Sequence, residues 1–419
     1  VGTAAAAGTI DAARERAAAA PVEAGSSAVA RSGRRMRIGM VVGEASGDVL
    51  GSRLMLALRE RLPGAEFFGI GGPKMEAQGF ESWFPQERLA VRGLVEVLKH
   101  FRELRGMRNA LVKRMRAERP DLFVGIDSPD FNLGIERRLK AHGIPTAQYV
   151  SPTVWAWRPK RIEAIRKSVS HMLVLFPFEE PIYREAGIPV TYVGHPVADE
   201  LPLSYNRDDV RSYLRVPRHA TVVAMLPGSR QVELAEHADL FVATGRLLHA
   251  ANPEIRFLVP FVTRETRDLF QAAIWRAEAH DVPFTLLFGH AHEALASADA
   301  ALVASGTATL EAAILRRPMV VTYRAHKVSV AIARRMIKIP YVAMPNILAG
   351  EFIVPELLQE DATPENLAQA LQNLMADDYV LEHLPERFEA IHRALRQNTG
   401  ERAARALLPY LGVSAAQPA

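Results

Sequence analysis

From Arg37 onward, short runs rich in Val, Ile and Leu alternate with longer stretches of helical periodicity. Such an alternation constrains the fold more than any other feature, because strands joined through helices pair in parallel and need cover on both faces. The first series places strands at Arg37–Gly43, Glu66–Ile70, Asp121–Ile126, Thr146–Val150, His171–Phe176 and Val190–Val193, with a helix at Asp48–Arg61. After Gly194-His195-Pro196 and a polar stretch, Leu201–Asp209, which reads as a linker, the pattern restarts. Strands are expected at Thr221–Leu226, Ile255–Val259, Phe284–Leu287, Ala300–Ala304 and Met319–Thr322, with a long helix at Val232–His249. The expectation is an α/β chain of two mostly parallel domains, 36–200 and 201–380, facing across a cleft. Terminal helices at Thr363–Met375 and Glu382–Gln397 pack back on either half, the last region running over 381–419.

Residues 1–35 are Ala-rich and end in Arg31, Arg34 and Arg35. They lack the compact apolar segment of a secretory signal and read as a disordered tail. The absence of cysteine excludes disulfides, thiolate zinc sites and a Cys nucleophile. A net charge of +4 over 419 residues permits an anionic partner. No apolar run approaches the roughly 18 residues that a bilayer span requires. Thirteen histidines are scattered without a zinc-protease pair, and no metal is expected.

Chemistry gathers at strand ends. Asp127 follows the apolar run Asp121–Ile126 and precedes Ser128-Pro129-Asp130. Ligands of open α/β sheets bind outside the carboxyl ends of strands, so an acid there is aimed at chemistry. The alternative is a helix cap, a job for which Asp130 is better placed, before a helix starting near Phe131. The first strand ends in Gly43-Glu44-Ala45-Ser46-Gly47-Asp48. Glu44 and Asp48 repel phosphate but accept hydrogen bonds from sugar hydroxyls, and the spacing is not the dinucleotide fingerprint. The alternative is an ordinary strand–helix turn.

The second series opens on Leu226-Pro227-Gly228-Ser229-Arg230, where glycine, hydroxyl and cation suit an oxyanion at a helix N-terminus. Ser305-Gly306-Thr307 repeats that logic, and Glu311, one turn further, suits the vicinal hydroxyls of a ribose. Two such turns in one half favour a nucleoside diphosphate over plain capping. No P-loop motif occurs.

Two segments speak to lipid. Ala90–Arg119 combines Leu94, Leu98 and Phe101 with Arg92, Lys99, Arg102 and Arg105. It is either a basic amphipathic helix at an anionic membrane or a core helix with a solvated basic face. Trp155-Ala156-Trp157-Arg158-Pro159-Lys160-Arg161 sets two indoles beside cations that could meet a substrate phosphate, or buries a Trp pair under a basic helix.

Gly43–Asp48, Gly125–Asn132, Tyr149–Arg158, Gly194-His195-Pro196, Leu226–Arg230, Ala304–Glu311 and Met344–Gly350, in this order, resemble the lipid-A-disaccharide synthase family of glycosyltransferases. The resemblance spans about Met36 to Arg396. It implies two Rossmann-like domains of the GT-B type, with the donor held mainly by the second. It implies transfer from UDP-2,3-diacylglucosamine to 2,3-diacylglucosamine 1-phosphate (lipid X), giving a β-1,6-linked disaccharide 1-phosphate and UDP. The reaction would invert the anomeric centre without metal or other cofactor. The enzyme would be cytoplasmic and peripheral on the inner face of the inner membrane, with no nucleic-acid partner. A homodimer fits terminal helices that exchange between chains. Asp127 would be the general base; Gly228, Ser229, Arg230, Ser305, Gly306, Thr307, Glu311 and Asn346 the donor site; Glu44, Ser46, Asp48, Arg158 and His195 the acceptor side; Leu94, Leu98 and Phe101 the membrane contact. The rivals are a UDP-sugar epimerase of the same fold and a non-catalytic lipid-binding relative.

Overall fold

A computed structural model describes residues 35–89, 94–155, 161–325 and 340–413, the side chains of 87 and 94–101 excepted. The chain divides into two compact units. One joins the described residues up to Pro196 with those from Leu395 onward; the other is Val197–Ala394.

The first unit is built on seven parallel strands: β1 (Arg37–Val42), β2 (Glu66–Ile70), β3 (Glu81–Ser82), β4 (Leu122–Ile126), β5 (Thr146–Tyr149), β6 (His171–Val174) and β7 (Val190–Tyr192). Their order is β3-β2-β1-β4-β5-β6-β7. Alternation decides which face each side chain covers. Ile38, Met40 and Val42 of β1 and Leu122, Val124 and Ile126 of β4 join one core with Leu54 and Leu58 of the helix Ala45–Arg61. Val41 and Phe123 point the other way, onto Met107, Leu111 and Met115 of the helix Leu94–Glu118. The C-terminal helix Thr399–Leu407 returns to this unit, adding Ala403, Ala404 and Leu407 to the first core. Its Gly400 packs against the Arg53 backbone, where a Cβ would lie 3.1 Å from the carbonyl oxygen.

The second unit holds six parallel strands: β8 (Val222–Leu226), β9 (Arg256–Phe261), β10 (Phe284–Phe288), β11 (Ala300–Ala304), β12 (Met319–Tyr323) and β13 (Glu356–Leu358), ordered β10-β9-β8-β11-β12-β13. Its core packs Val223 and Met225 against Leu234, Phe241 and Leu248 of the long helix Gln231–Ala251 and against Leu367 and Leu371 of the helix Pro364–Ala376.

Each sheet has one place where the chain leaves a strand in one direction and later returns to its other side. In the first sheet this is the β1/β4 junction, in the second the β8/β11 junction. Successive helices depart to opposite faces there, which opens a crevice at the carboxyl ends of the two strands.

Candidate functional site

At the first junction the turns after β1 and β4 touch. A Cβ on Gly43 would lie 1.9 Å from Ser128 Oγ, so only glycine admits the second turn. Gly47 also packs on this turn: a Cβ there would lie 2.8 Å from Val42 Cγ1 and in ordinary contact, 3.5 Å, with Asp127 Cβ. Asp127 and Ser128 both adopt left-handed backbone, with φ of 56° and 40°. Two non-glycine residues there cost on the order of 1 kcal/mol or more each unless their surroundings dictate the shape. The surroundings do. The Asp127 N–H donates to Tyr149 O at 2.9 Å, and its carbonyl accepts from Asn132 Nδ2 and Gln148 Nε2, each at 2.9 Å. Its carboxylate accepts from Ser128 N–H at 2.9 Å and from Ser46 Oγ at 3.3 Å. The side chain stays partly exposed at the strand end.

Asp130 corrects the capping expectation. The helix begins at Pro129 with Ser128 as its N-cap, so Asp130 lies inside the first turn, exposed and paired with Arg161 at 2.5 Å. Asp48 corrects another. It is buried, and its carboxylate accepts from the backbone N–H groups of Gly72, Lys74 and Met75 at 2.9–3.1 Å. That anchors the start of the helix Pro73–Glu76 and leaves Glu44 and Ser46 as the accessible polar members of the turn. His195 is buried, stacked on Phe176 with centroids 5.5 Å apart, and its backbone N–H donates to Leu395 O. Burial pushes its imidazole down to about 4, so it is neutral at neutral pH. Arg158 lies outside the described residues, as do the side chains of Leu94, Leu98 and Phe101.

At the second junction the turn after β8 carries Gly228, Ser229 and Arg230. Gly228 has φ of 126°, a conformation that side chains avoid. Ser229 and Arg230 are exposed, and Arg230 pairs with Glu233 at 2.5 Å. Such an exposed pair is worth little and yields readily to a better anion. Beneath it His237, which sequence reading missed, holds the turn. It is fully buried; Nδ1–H donates to Pro227 O at 3.0 Å and Nε2 accepts from Arg324 N–H at 2.9 Å. These two bonds fix one neutral tautomer, and burial lowers the pKa to match. A histidine among Leu234, Ala238 and Phe241, on an otherwise apolar helix face, was the available signal.

The turn after β11 exposes Gly306 and Thr307 at the start of the helix Thr307–Ile314, with Ser305 and Glu311 partly buried. Glu311 lies 3.6 Å from His292 Nε2. The segment leading into the helix Met344–Ala349 docks on this turn: Ser305 Oγ donates to Val342 O at 3.3 Å and Met344 N–H donates to Thr309 Oγ1 at 3.2 Å. Asn346, expected to touch the donor, is instead buried with both ends of its amide engaged. Nδ2 donates to Val354 O and Glu356 Oε1, and Oδ1 accepts from the N–H groups of Ile353 and Val354, all within 2.8–2.9 Å. Glu356 in turn accepts from the N–H groups of Val342 and Ala343. Asn346 and Glu356 together clamp the segment that supports Ser305 and Thr309. Among the described residues no group of three or more His, Cys, Asp or Glu is placed to hold a metal ion, and no helix is long and apolar enough to cross a membrane.

Two doubly wound parallel sheets, each with its polar turns at its own junction, make up the GT-B class of fold. Solved structures of that class overlay on the chain. The S. aureus MnaA–UDP complex does so with a TM-score of 0.60 at 14% identity, covering 92% of this chain and 99% of its own. UDP-GlcNAc 2-epimerase from Neisseria meningitidis gives 0.58 at 11%, covering 90% and 99%. A family model described as lipid-A-disaccharide synthetase matches residues 38–407. The lipid-A-disaccharide synthase of Aromatoleum aromaticum is 54% identical over 90% of this chain and 97% of its own length, and that of Pseudomonas aeruginosa 48% over 89% and 97%. The chain belongs to the lipid-A-disaccharide synthetase family and is a glycosyltransferase of lipid A biosynthesis.

Proposed function

We propose that the chain joins UDP-2,3-diacylglucosamine to 2,3-diacylglucosamine 1-phosphate with inversion, and that Asp127 is the general base. The carrying observation is the Asp127 turn: a partly exposed carboxylate at a topological junction, in strained backbone held by three backbone-directed hydrogen bonds. Strain that the surroundings dictate clusters at functional sites. In the proposed reaction the acceptor 6-hydroxyl attacks the anomeric carbon, its proton passes to Asp127, and UDP leaves from the opposite side. One displacement needs one base and gives inversion. Ser46, which donates to Asp127 Oδ2, keeps the carboxylate oriented and marks where a substrate hydroxyl arrives.

The donor rests on the second unit. Arg230, Ser229 and the backbone amides of Gly306 and Thr307 face the diphosphate and stabilise the negative charge that grows on UDP, the Ser305 N–H being held by Thr322 O. Glu311 takes the ribose hydroxyls. This electrostatic work makes a metal unnecessary, and the proposed site is metal-free. The enzyme acts at the cytoplasmic face of the inner membrane, where both acylated substrates reside.

Asp127→Asn tests the base. Asn keeps an oxygen for Ser128 N–H and leaves an N–H that Ser46 Oγ accepts, so the turn survives. Turnover should fall about 10²–10⁴-fold, the usual worth of a positioned base. UDP affinity, measured by calorimetry, should stay unchanged. Ordinary turnover in this variant would remove Asp127 from the mechanism.

A further inference from the structure

Behind the Asp127 turn lies a buried polar cluster that the reaction as drawn does not use. Glu136, on the helix Pro129–Lys140, is completely buried, as are Asn132 of that helix and Gln148 of β5. Gln148 Nε2 donates to the carbonyls of Asp127 at 2.9 Å, Val150 at 3.2 Å and Tyr149 at 3.3 Å. Asn132 Nδ2 donates to those of Asp127 at 2.9 Å and of Ile126 and Val41 at 3.4 Å. Both amides therefore turn their nitrogens toward the catalytic turn and their oxygens away from it. Those oxygens, Gln148 Oε1 and Asn132 Oδ1, find no donor, and neither do the two oxygens of Glu136.

Two of these four oxygens border one vacant side-chain position. A Cβ on Gly125 would lie 2.3 Å from Glu136 Oε1, 2.8 Å from Gln148 Oε1 and 2.8 Å from Asn132 Cβ. Glycine at 125 is what lets a carboxyl group and an amide oxygen share this space. An ionised Glu136 would add two acceptors to a cluster that already has too many. A neutral Glu136 supplies a donor for one of the two amide oxygens.

We propose that Glu136 is a positioning residue: as a neutral acid it donates its O–H to Gln148 Oε1, locking the amide so that Nε2 stays on the Asp127 carbonyl and the left-handed turn keeps its shape. Burial alone raises the Glu136 pKa well above that of a free carboxyl, in keeping with this protonation state. If the amide flipped, its oxygen would oppose three carbonyl oxygens, an arrangement with no hydrogen bond to offset the loss. The effect on turnover rests on the reading of Asp127 as the base; the hydrogen bond itself does not.

Two measurements separate these. Glu136→Gln retains an N–H that can donate to Gln148 Oε1, whereas Glu136→Leu removes the donor at similar bulk. Expected are near wild-type kcat for Glu136→Gln and a loss of about ten- to a hundredfold for Glu136→Leu, the range seen when a reacting group is slightly misplaced. KM for both substrates should stay within about twofold, since neither substrate touches Glu136. A role in stability alone would lower the Tm of Glu136→Leu and leave its kcat intact, and would overturn the proposal. Equal losses in both variants would overturn it too, because an N–H donor at position 136 would then restore nothing. The second measurement is the infrared carboxylic-acid band of the unliganded protein at about pH 8, above the Glu179 value of about 7. A protonated-carboxyl band in the wild type that disappears in Glu136→Gln supports the hydrogen bond, and a band missing from the wild type refutes it, whatever Asp127→Asn does. Should Asp127→Asn keep its turnover while the infrared band behaves as expected, only the base assignment falls.

Discussion

Arg230 shows how a surface residue can be poised for a ligand. Its guanidinium sits at the end of β8, exposed, paired with Glu233 one turn along. An incoming diphosphate offers a doubly charged partner with matched geometry, and a charge-assisted contact of that kind outweighs an exposed ion pair. Arg230→Ala should weaken UDP binding about ten- to a hundredfold, roughly what one such hydrogen-bonded contact contributes. Unchanged UDP affinity would exclude a phosphate role. Glu179 poses a different question, because it is buried and accepts from the Phe176 N–H at 3.1 Å. Burial pushes its carboxyl up to about 7, so the folded state keeps a proton that the unfolded state loses near 4.5. The folded chain binds more protons across that window, so this group lowers stability as pH rises from 4.5 towards 7, by an amount on the order of 3 kcal/mol. His171 and His195 act oppositely: burial pushes both to about 4, and their contribution is lost as pH falls from 6.5. The Tm of Glu179→Gln minus that of the wild type should therefore climb between about pH 4.5 and 7, and a flat difference would refute the burial argument. At this scale the sequence showed where Asp127 and Arg230 stand, because strand ends are legible from apolar runs. It did not show Gln148 or His237, whose importance lies in backbone partners 21 and 87 residues away along the chain.

Among the elements, the strands were legible to within a residue or two, with Glu66–Ile70 and Ala300–Ala304 matching their expected limits. β3 escaped because two residues cannot display an alternation, and β13, Glu-Leu-Leu, carries no β-branched or aromatic residue to mark it. The mistaken cap at Asp130 has a local cause: Pro129 starts the helix, its fixed φ suiting the first turn, two residues earlier than the apolar periodicity suggested. The helix Leu94–Glu118 divides an alternative that sequence left open. Met107, Leu111, Val112 and Met115 of its later half are core, packed on the first sheet. The proposed membrane contact is the one the sequence places at Leu94, Leu98 and Phe101. Changing those three to polar residues should move the protein from anionic liposomes to the supernatant in a sedimentation assay, with Tm held within a few degrees. A triple variant that still sediments with liposomes would assign the contact elsewhere.

On the scale of the whole molecule, one construction rule is used twice. Each parallel sheet reverses its strand order once, and each reversal carries the polar turns: Glu44, Ser46 and Asp127 in one unit, Arg230 and Ser305–Thr307 in the other. The doubling was visible in the sequence as a restarted βα pattern. The strand orders were not, since pairing across a crossover leaves no local mark. A UDP-sugar epimerase can be built on the same architecture, so the product decides between the chemistries. The most direct measurement is mass spectrometry of the products from UDP-2,3-diacylglucosamine and 2,3-diacylglucosamine 1-phosphate, run with and without a chelator. An acylated disaccharide 1-phosphate together with stoichiometric UDP, formed equally in both reactions, is the expected result. Hydrolysed or epimerised donor with no disaccharide, or a product lost on chelation, would contradict a metal-free glycosyl transfer based on Asp127.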